Sequence, residues 1–338
     1  MVRYLATRIA AAIGVLWAAF TVAFIILILL PSDPVTIATS GDASTPVDPA
    51  AVAALKARYG LDRSIWEQYW SALTGALHGD FGISISQGRP VTDVIFDALP
   101  STVALTLTAV ALAVVLGVGL AVLATWTRFS ALRRILLSIP SLVVALPTFW
   151  VGLVLLQVFA FRLAWFPAFG DTRPGSLVLP AVTLAIPYAG VLGQVLVTSM
   201  TATDAQPFVQ TATAKGASRG RVIARHILRV SSLPALTVAG VIVGNLLGGA
   251  VVVETVFSRP GVGQLAQSAV LAQDIPVVLA LVTFSALVFV CINLAVDVVY
   301  PFLDPRILTG RSRDGRSANG PANGRADTDD TATELTNV

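Results

Sequence analysis

Six stretches without a single charge interrupt an otherwise mixed chain, at 9–30, 101–127, 135–161, 174–203, 230–253 and 275–296. Each meets or exceeds the roughly 20 residues that a helix needs to cross hydrocarbon. Each is also apolar around its whole circumference, unlike a half-exposed soluble helix. The pattern predicts an all-α polytopic fold with six transmembrane helices. Pro140, Pro147, Pro180 and Pro187 fall in the third and fourth stretches and predict kinks or shortened helices there. The first stretch follows Arg3 and Arg8, as a signal peptide would. It is followed by Pro31-Ser32-Asp33-Pro34 rather than a small-residue cleavage site, which points to a retained span.

The polar intervals have their own punctuation. In 31–100, Asp48-Pro49 reads as a helix start and Gly60 as its stop. Ser64 with Glu67 three residues later forms a capping box, opening a second helix that should end near Gly79. Trp66, Tyr69, Trp70 and Phe81 either pack on the membrane surface or meet a docking partner. Beyond Arg306 the pattern stops: the tail 307–338 is rich in Gly, Ser, Asn, Asp, Arg and Thr and predicts disordered chain. The divisions expected are 1–30 for the first span, 31–100 for an external segment with short helices, and 101–306 for a five-span core. A cytoplasmic loop at 204–234 interrupts that core.

Composition supports the membrane reading. Hydrophobic residues make up 55% of the 338 and charged ones only 12%, about half the charge of an average soluble domain. The single Cys291 allows no intrachain disulfide. His78 and His226, far apart, argue against a metal site. Placing the N-terminus inside puts 15 Lys and Arg residues in cytoplasmic segments and 7 outside, which fixes both termini as cytoplasmic. Topology therefore explains the basic pI near 9.3, and no nucleic-acid partner is implied.

The most informative interval is the cytoplasmic loop. Gln206-Pro207 is a helix start, Phe208 to Lys215 continues it, and Gly216 ends it as a C′ glycine does. Ser218 restarts a helix with Arg221, Arg225 and Arg229 on one face and Val222, Ile223 and Ile227 on another. The two make a rigid elbow across the cytoplasmic face. It either presses on a protein partner or lays its arginines against lipid phosphates.

Gln210-Thr211-Ala212, Gly216 six residues after Gln210, and Leu233-Pro234 resemble the EAA loop of ABC importer permeases. Phe208 through Gly216 is similar to that loop in the dipeptide/oligopeptide/nickel permease family, with Gln210 and Thr211 standing where the family has Glu and its first Ala. Further landmarks occur in order: Leu30-Pro31-Ser32-Asp33-Pro34, Tyr59-Gly60-Leu61-Asp62, Gly79-Asp80-Phe81-Gly82, Leu99-Pro100-Ser101-Thr102, Pro147-Thr148-Phe149-Trp150, and Trp165-Phe166-Pro167. Glu254 through Gly263 and Leu303-Asp304-Pro305-Arg306 complete the resemblance.

The resemblance implies a type I ABC importer permease in the bacterial cytoplasmic (inner) membrane, a half-channel for di- or oligopeptides or a related ligand, the alternative being the same machinery importing a nickel chelate, glutathione or haem. Its implied partners are a second permease, two cytoplasmic ATPase subunits, an external solute-binding protein and membrane lipid. The chain has no GxxxxGK[ST] phosphate loop and no nucleophile–base pair. It is therefore expected to be non-catalytic and to bind no cofactor, with ATP and Mg on the ATPase partners. Phe208, Val209, Gln210, Thr211, Ala212, Lys215, Gly216, Ala217 and Ser218 are the expected ATPase-coupling residues. Glu254, Phe257, Arg259, Pro260, Gly261 and Gly263 form an outer re-entry loop, expected as a gate or receptor contact. Gly240, Gly244 and Gly248 permit close helix approach. Gln157, Gln194, Asn245 and Asn293 either line a path or tie helices together. A stand-alone secondary transporter would call for acidic residues at mid-span, and the six stretches contain none.

Overall fold

The computed structural model of the chain describes residues 2–29, 50, 53, 54, 57, 60 and 62–303. The Leu30–Pro34 landmark, Asp304-Pro305-Arg306 and the tail 307–338 lie outside the described residues; of the helix expected from Asp48-Pro49, residues 50, 53, 54 and 57 are described and helical, and Gly60, its expected stop, takes φ +67°. The chain folds as α1 (Val2–Leu29), α2 (Ile65–Leu77), α3 (Val91–Trp126), α4 (Ser130–Val144) and α5 (Thr148–Leu155), which a π segment prolongs over Leu156–Arg162. Then come α6 (Val178–Asp204), α7 (Pro207–Ala214), α8 (Arg219–Val222), a π segment at Ile223–Ile227, α9 (Leu228–Val256), α10 (Val262–Leu271) and α11 (Ile275–Leu303). Among the described residues the only extended pairing is a single bridge between Ile83 and Pro90. Residues 1–296 form one compact unit; from Asp297 the chain belongs to a second, described only to Leu303.

Among the described residues five helices are long and apolar enough to span a membrane, and α4 with the prolonged α5, bent by 105°, gives a sixth when the pair is taken as one span. The expected kink in the third span is thus a sharp turn at 145–147. Pro147 cannot donate a main-chain bond and keeps Leu146 out of the helical region. Pro140 and Pro187, by contrast, sit inside unbroken helices, and Pro180 lies in the first turn of α6, where no donor is required.

Two boundaries differ from expectation. The second span begins at Val91, ten residues before the charge-free stretch. Its 36 residues run about 54 Å, so the division at 100/101 falls inside one helix. Pro100 forfeits a bond there, but Val91, Ile95 and Ala98 are buried in a cluster with Val262, Ala269 and Val277, and that packing holds the helix together. The second difference concerns the basic helix after Ser218. It does not lie across the cytoplasmic face as a separate element but runs without a break through the π segment into α9. Val222, Ile223 and Ile227, the stripe that reads as membrane-seeking, are each at most 2% exposed and join the main core.

That core surrounds α6, half of whose membrane-depth residues are buried, against under a third in each of the other four unbroken spans. Glycine lets its neighbours approach. A Cβ at Gly117 of α3 would lie 3.1 Å from the Ala189 carbonyl oxygen, and one at Gly190 would lie 3.2 Å from that of Pro140. Outside the core, α2 carries the expected capping box between Ser64 and Glu67. It packs Tyr69 edge-on against Phe20 and Phe24 of α1, with the Tyr69 hydroxyl 2.9 Å from Thr21 Oγ1.

Candidate functional site

At the cytoplasmic end, α7 is held by its own ends. Pro207 occupies the first helical position. At the other end Gly216 takes φ +84°, the Gly216 N–H donates to Thr213 O at 2.9 Å, and the Ala217 N–H donates to Ala212 O at 3.2 Å. That bond pair is a complete Schellman ending, which requires a left-handed residue at Gly216. Val209 is buried in the core, and Ala212 and Ala217 pack against it. Phe208, Gln210, Thr211, Lys215, Gly216 and Ser218 are exposed. Two aliphatic pegs therefore fix the helix, and a mixed apolar and polar face with one positive charge looks away from the protein.

Side chains that sequence reasoning passed over brace this elbow. Arg219 donates from Nη1 to Asp204 Oδ1 at 2.8 Å and from Nη2 to Asp204 Oδ2 at 2.9 Å, a bidentate pair across the neck of the loop. Its Nη2 also donates to Thr125 O, 3.1 Å away at the end of α3. Ser231 Oγ donates to Thr203 Oγ1 at 3.0 Å, both buried. A Cβ at Gly220 would meet the Trp126 ring at 3.0 Å. The opposite charges flanking the loop were the available signal for the first of these.

The outer end is built differently. Glu254, fully buried, accepts from Thr102 Oγ1 at 2.6 Å, from the Gly263 N–H at 2.7 Å and from the Gln264 N–H at 3.3 Å. The Thr102 hydroxyl in turn accepts from the Val262 N–H at 2.8 Å. A Cβ at Gly261 would collide with the Glu254 carboxylate, and one at Gly263 with the Val251 backbone. Arg259, 4% exposed, donates to Ser101 Oγ at 3.1 Å and to the Gly170 and Ser176 carbonyls at 3.4 Å, while its Nε has no hydrogen-bond partner. Burial pulls this guanidinium below its ordinary pKa, against the opposing charges of Asp171 and Glu254. Phe257 is buried and Pro260 exposed. The stretch 254–263 thus locks α3, α9, α10 and the loop before α6 into one block. Nearby, Asp274 is fully buried and accepts from Ser84 Oγ at 2.5 Å, Ser86 Oγ at 2.7 Å and the Ser86 N–H at 2.9 Å, fastening the external segment to the start of α11.

The polar residues within spans are not brought together as a cluster. Gln157, Gln194, Asn245 and Asn293 are all exposed. Asn293 donates to Phe289 O of its own helix at 2.8 Å, and the Tyr188 hydroxyl donates to Asn245 O at 3.1 Å, tying α6 to α9. Gly240 is half-buried and Gly248 faces open space. At Gly244 an added Cβ would reach the Phe289 ring at 3.6 Å. The close helix approach on α9 falls instead at Gly249, 3.0 Å from Leu184.

Two family models cover nearly the whole chain. Residues 113–309 match the binding-protein-dependent transport system inner membrane component, and residues 1–106 match the N-terminal part of such membrane components. The glutathione transport system permease protein GsiC of Escherichia coli (strain K12) is 33% identical over 307 residues, 91% of this chain and 99% of that protein. A Brucella abortus (strain 2308) protein, named provisionally as a peptide transport system permease, is 35% identical over 308 residues, 89% of this chain and 97% of the other. Among solved structures, an inward-facing form of the MetNI methionine ABC transporter has a chain 15% identical with a TM-score of 0.50, covering 62% of this chain and 96% of that one. The last likeness bears on the fold alone.

Proposed function

This chain belongs to the family of binding-protein-dependent transport system inner membrane components, and we propose that it forms half of a translocation pathway for short peptides or a related thiol peptide. It is a multi-pass inner-membrane permease subunit of an ABC importer. The substrate reading rests on relatives whose names specify glutathione and peptide transport. The observation that carries the mechanism is the elbow. Val209 and Ala212 root α7 in the core while Phe208, Gln210, Thr211 and Lys215 point outward, which suits a helix seated in a groove of a cytoplasmic ATPase. Two such ATPases carry ATP and Mg, and this chain holds neither and performs no chemistry. Gln210 offers the ATPase an amide hydrogen bond rather than a charge.

The remaining partners follow from the surfaces. A second permease faces the side of α6 and α9 that carries Gln194, Asn245 and Gly248, uncharged and exposed at membrane depth, and these residues line the path between the two subunits. A solute-binding protein delivers the substrate at the outer end. It meets the exposed rim near Pro260 rather than the buried Glu254, Phe257 and Arg259. Lipid meets Trp66 and Trp70 of α2, 76% and 60% exposed.

The test is to co-express this chain with the permease and ATPase subunits encoded beside it. The complex is purified by a tag on this chain, and ATP hydrolysis is measured in lipid with and without the binding protein. Co-purification with stimulated hydrolysis, lost in Gly216→Pro, is expected. A chain that purifies alone, with an ATPase that neither binds nor responds, sinks the reading.

A further inference from the structure

We propose that Arg219 is a positioning residue for energy coupling: its contacts with Asp204 and Thr125 make α7 and the inner ends of α3, α6 and α8 move as one body. The inference rests on the reading of α7 as the ATPase contact, and it adds how a push on that helix reaches the spans. Between Asp204, the last residue of α6, and Arg219, the first of α8, lies the whole elbow. Val209 and Ala212 seat one face of α7 in the core, but without a clasp the neck of the elbow could still open about those pegs, and part of a force on Phe208 or Lys215 would be spent in bending it.

Arg219 closes that loop at its neck. The bidentate contact with Asp204 fixes the angle as well as the distance between the ends of α6 and α8. The same Nη2 takes up the carbonyl of Thr125, one of the last carbonyls of α3, which a helix end leaves without an intrahelical donor. One planar guanidinium thus joins three helix termini, and a lysine could not reproduce that fork. The next layers repeat the arrangement with uncharged groups: Trp126 over Gly220, and the buried Thr203–Ser231 hydroxyl bond.

The magnitudes favour geometry over stability as what the clasp supplies. The side chains of Arg219 and Asp204 are 37% and 30% exposed, and pairs so open to water add little to folding. What a bidentate contact does supply is a narrow distribution of orientations. Coupling rather than folding is therefore where its loss is expected to appear.

Two measurements decide this. In the full-length chain carrying Cys291→Ser, spin labels at Ala214→Cys on α7 and Arg128→Cys after α3 report the width of the distance between elbow and span. Arg219→Ala and Asp204→Ala should each broaden that distribution while thermal stability falls only slightly. The exchange Asp204→Arg with Arg219→Asp should narrow it again in part, because the Thr125 carbonyl stays without its donor. In the assembled importer, the same alanine variants should keep ATP hydrolysis while substrate imported per ATP falls about 2- to 30-fold, the range that coupling residues remote from a ligand produce.

An unchanged width in Arg219→Ala overturns the proposal, as does an exchange no better than the alanines. A broadened elbow with an unchanged import-to-hydrolysis ratio overturns the coupling role. If the wild-type importer neither assembles nor hydrolyses ATP, the function proposed above fails. The spin-label widths on the chain alone still decide whether the clasp holds the elbow.

Discussion

The fifth membrane helix begins at Arg219 and runs to Val256, with Glu254 in its last turn, and its two ends are built on opposite plans. At the outer end a carboxylate is buried with all its hydrogen bonds made inside the protein, and two glycines lie against it so tightly that a methyl group would collide. At the inner end Arg219 and Asp204 stay about a third exposed, the Phe208 face of α7 looks outward, and a single guanidinium holds three helix ends. A lock may bury its charges because it has nothing to meet. A coupling surface has to keep its own polar face free for a partner and can be braced only from behind. The difference teaches that burial within one subunit sorts parts that hold from parts that engage.

Glu254→Ala should cause the largest loss. It leaves Thr102 and the Gly263 and Gln264 N–H groups without their acceptor inside the protein, at a cost of about 3 kcal/mol or more. Thermal unfolding in detergent would show it, or the variant would not accumulate folded at all. Arg219→Ala, measured the same way, should cost about 1 kcal/mol or less. Equal losses at the two ends would break the comparison.

Gly263→Ala comes next, at about 2–3 kcal/mol, because the added methyl must displace the backbone at Val251. Gly216→Ala is smaller, about 1–2 kcal/mol, since open space surrounds the position and only the left-handed φ of +84° opposes a side chain. The ordering of these two in thermal midpoint tests whether the outer turn is set by packing and the inner one by backbone conformation alone.

Much of this was legible in the sequence and some was not, for physical reasons. Charge-free length marks a span because hydrocarbon tolerates nothing else, so all six were readable. Local chemistry fixes caps, so the Ser64–Glu67 box and the Gly216 stop were readable too. A charge-free stretch says nothing about where a helix starts above the membrane, however, and α3 begins ten residues before it. An amphipathic stripe does not say whether it faces lipid or protein, and Val222, Ile223 and Ile227 turned out to be buried in the main core. The motif Glu254–Gly263 was visible, but not that its partner is Thr102, 152 residues away. GxxxG spacing named Gly240, Gly244 and Gly248, whereas close packing fell on Gly249, Gly117, Gly190 and Gly193. Only the direction of neighbouring helices decides which side of a glycine-rich span is approached.

The smallest effect on the fold should come with one of the largest on function. Phe208 is 42% exposed beside the buried Val209. Its ring is open to water on one side and outside the buried core, so Phe208→Ala should shift stability by no more than about 0.5 kcal/mol. Val209→Ala, one residue along, leaves a hole in the core and should cost about 1–2 kcal/mol. In the assembled importer the ranking should invert. Phe208→Ala should lose stimulated ATP hydrolysis or co-purification of the ATPase while the chain stays folded, and Val209→Ala should keep both once folded. If Phe208→Ala leaves assembly and hydrolysis intact, the outward face of α7 is not what the ATPase grips. The open inner end would then need another explanation for its exposure.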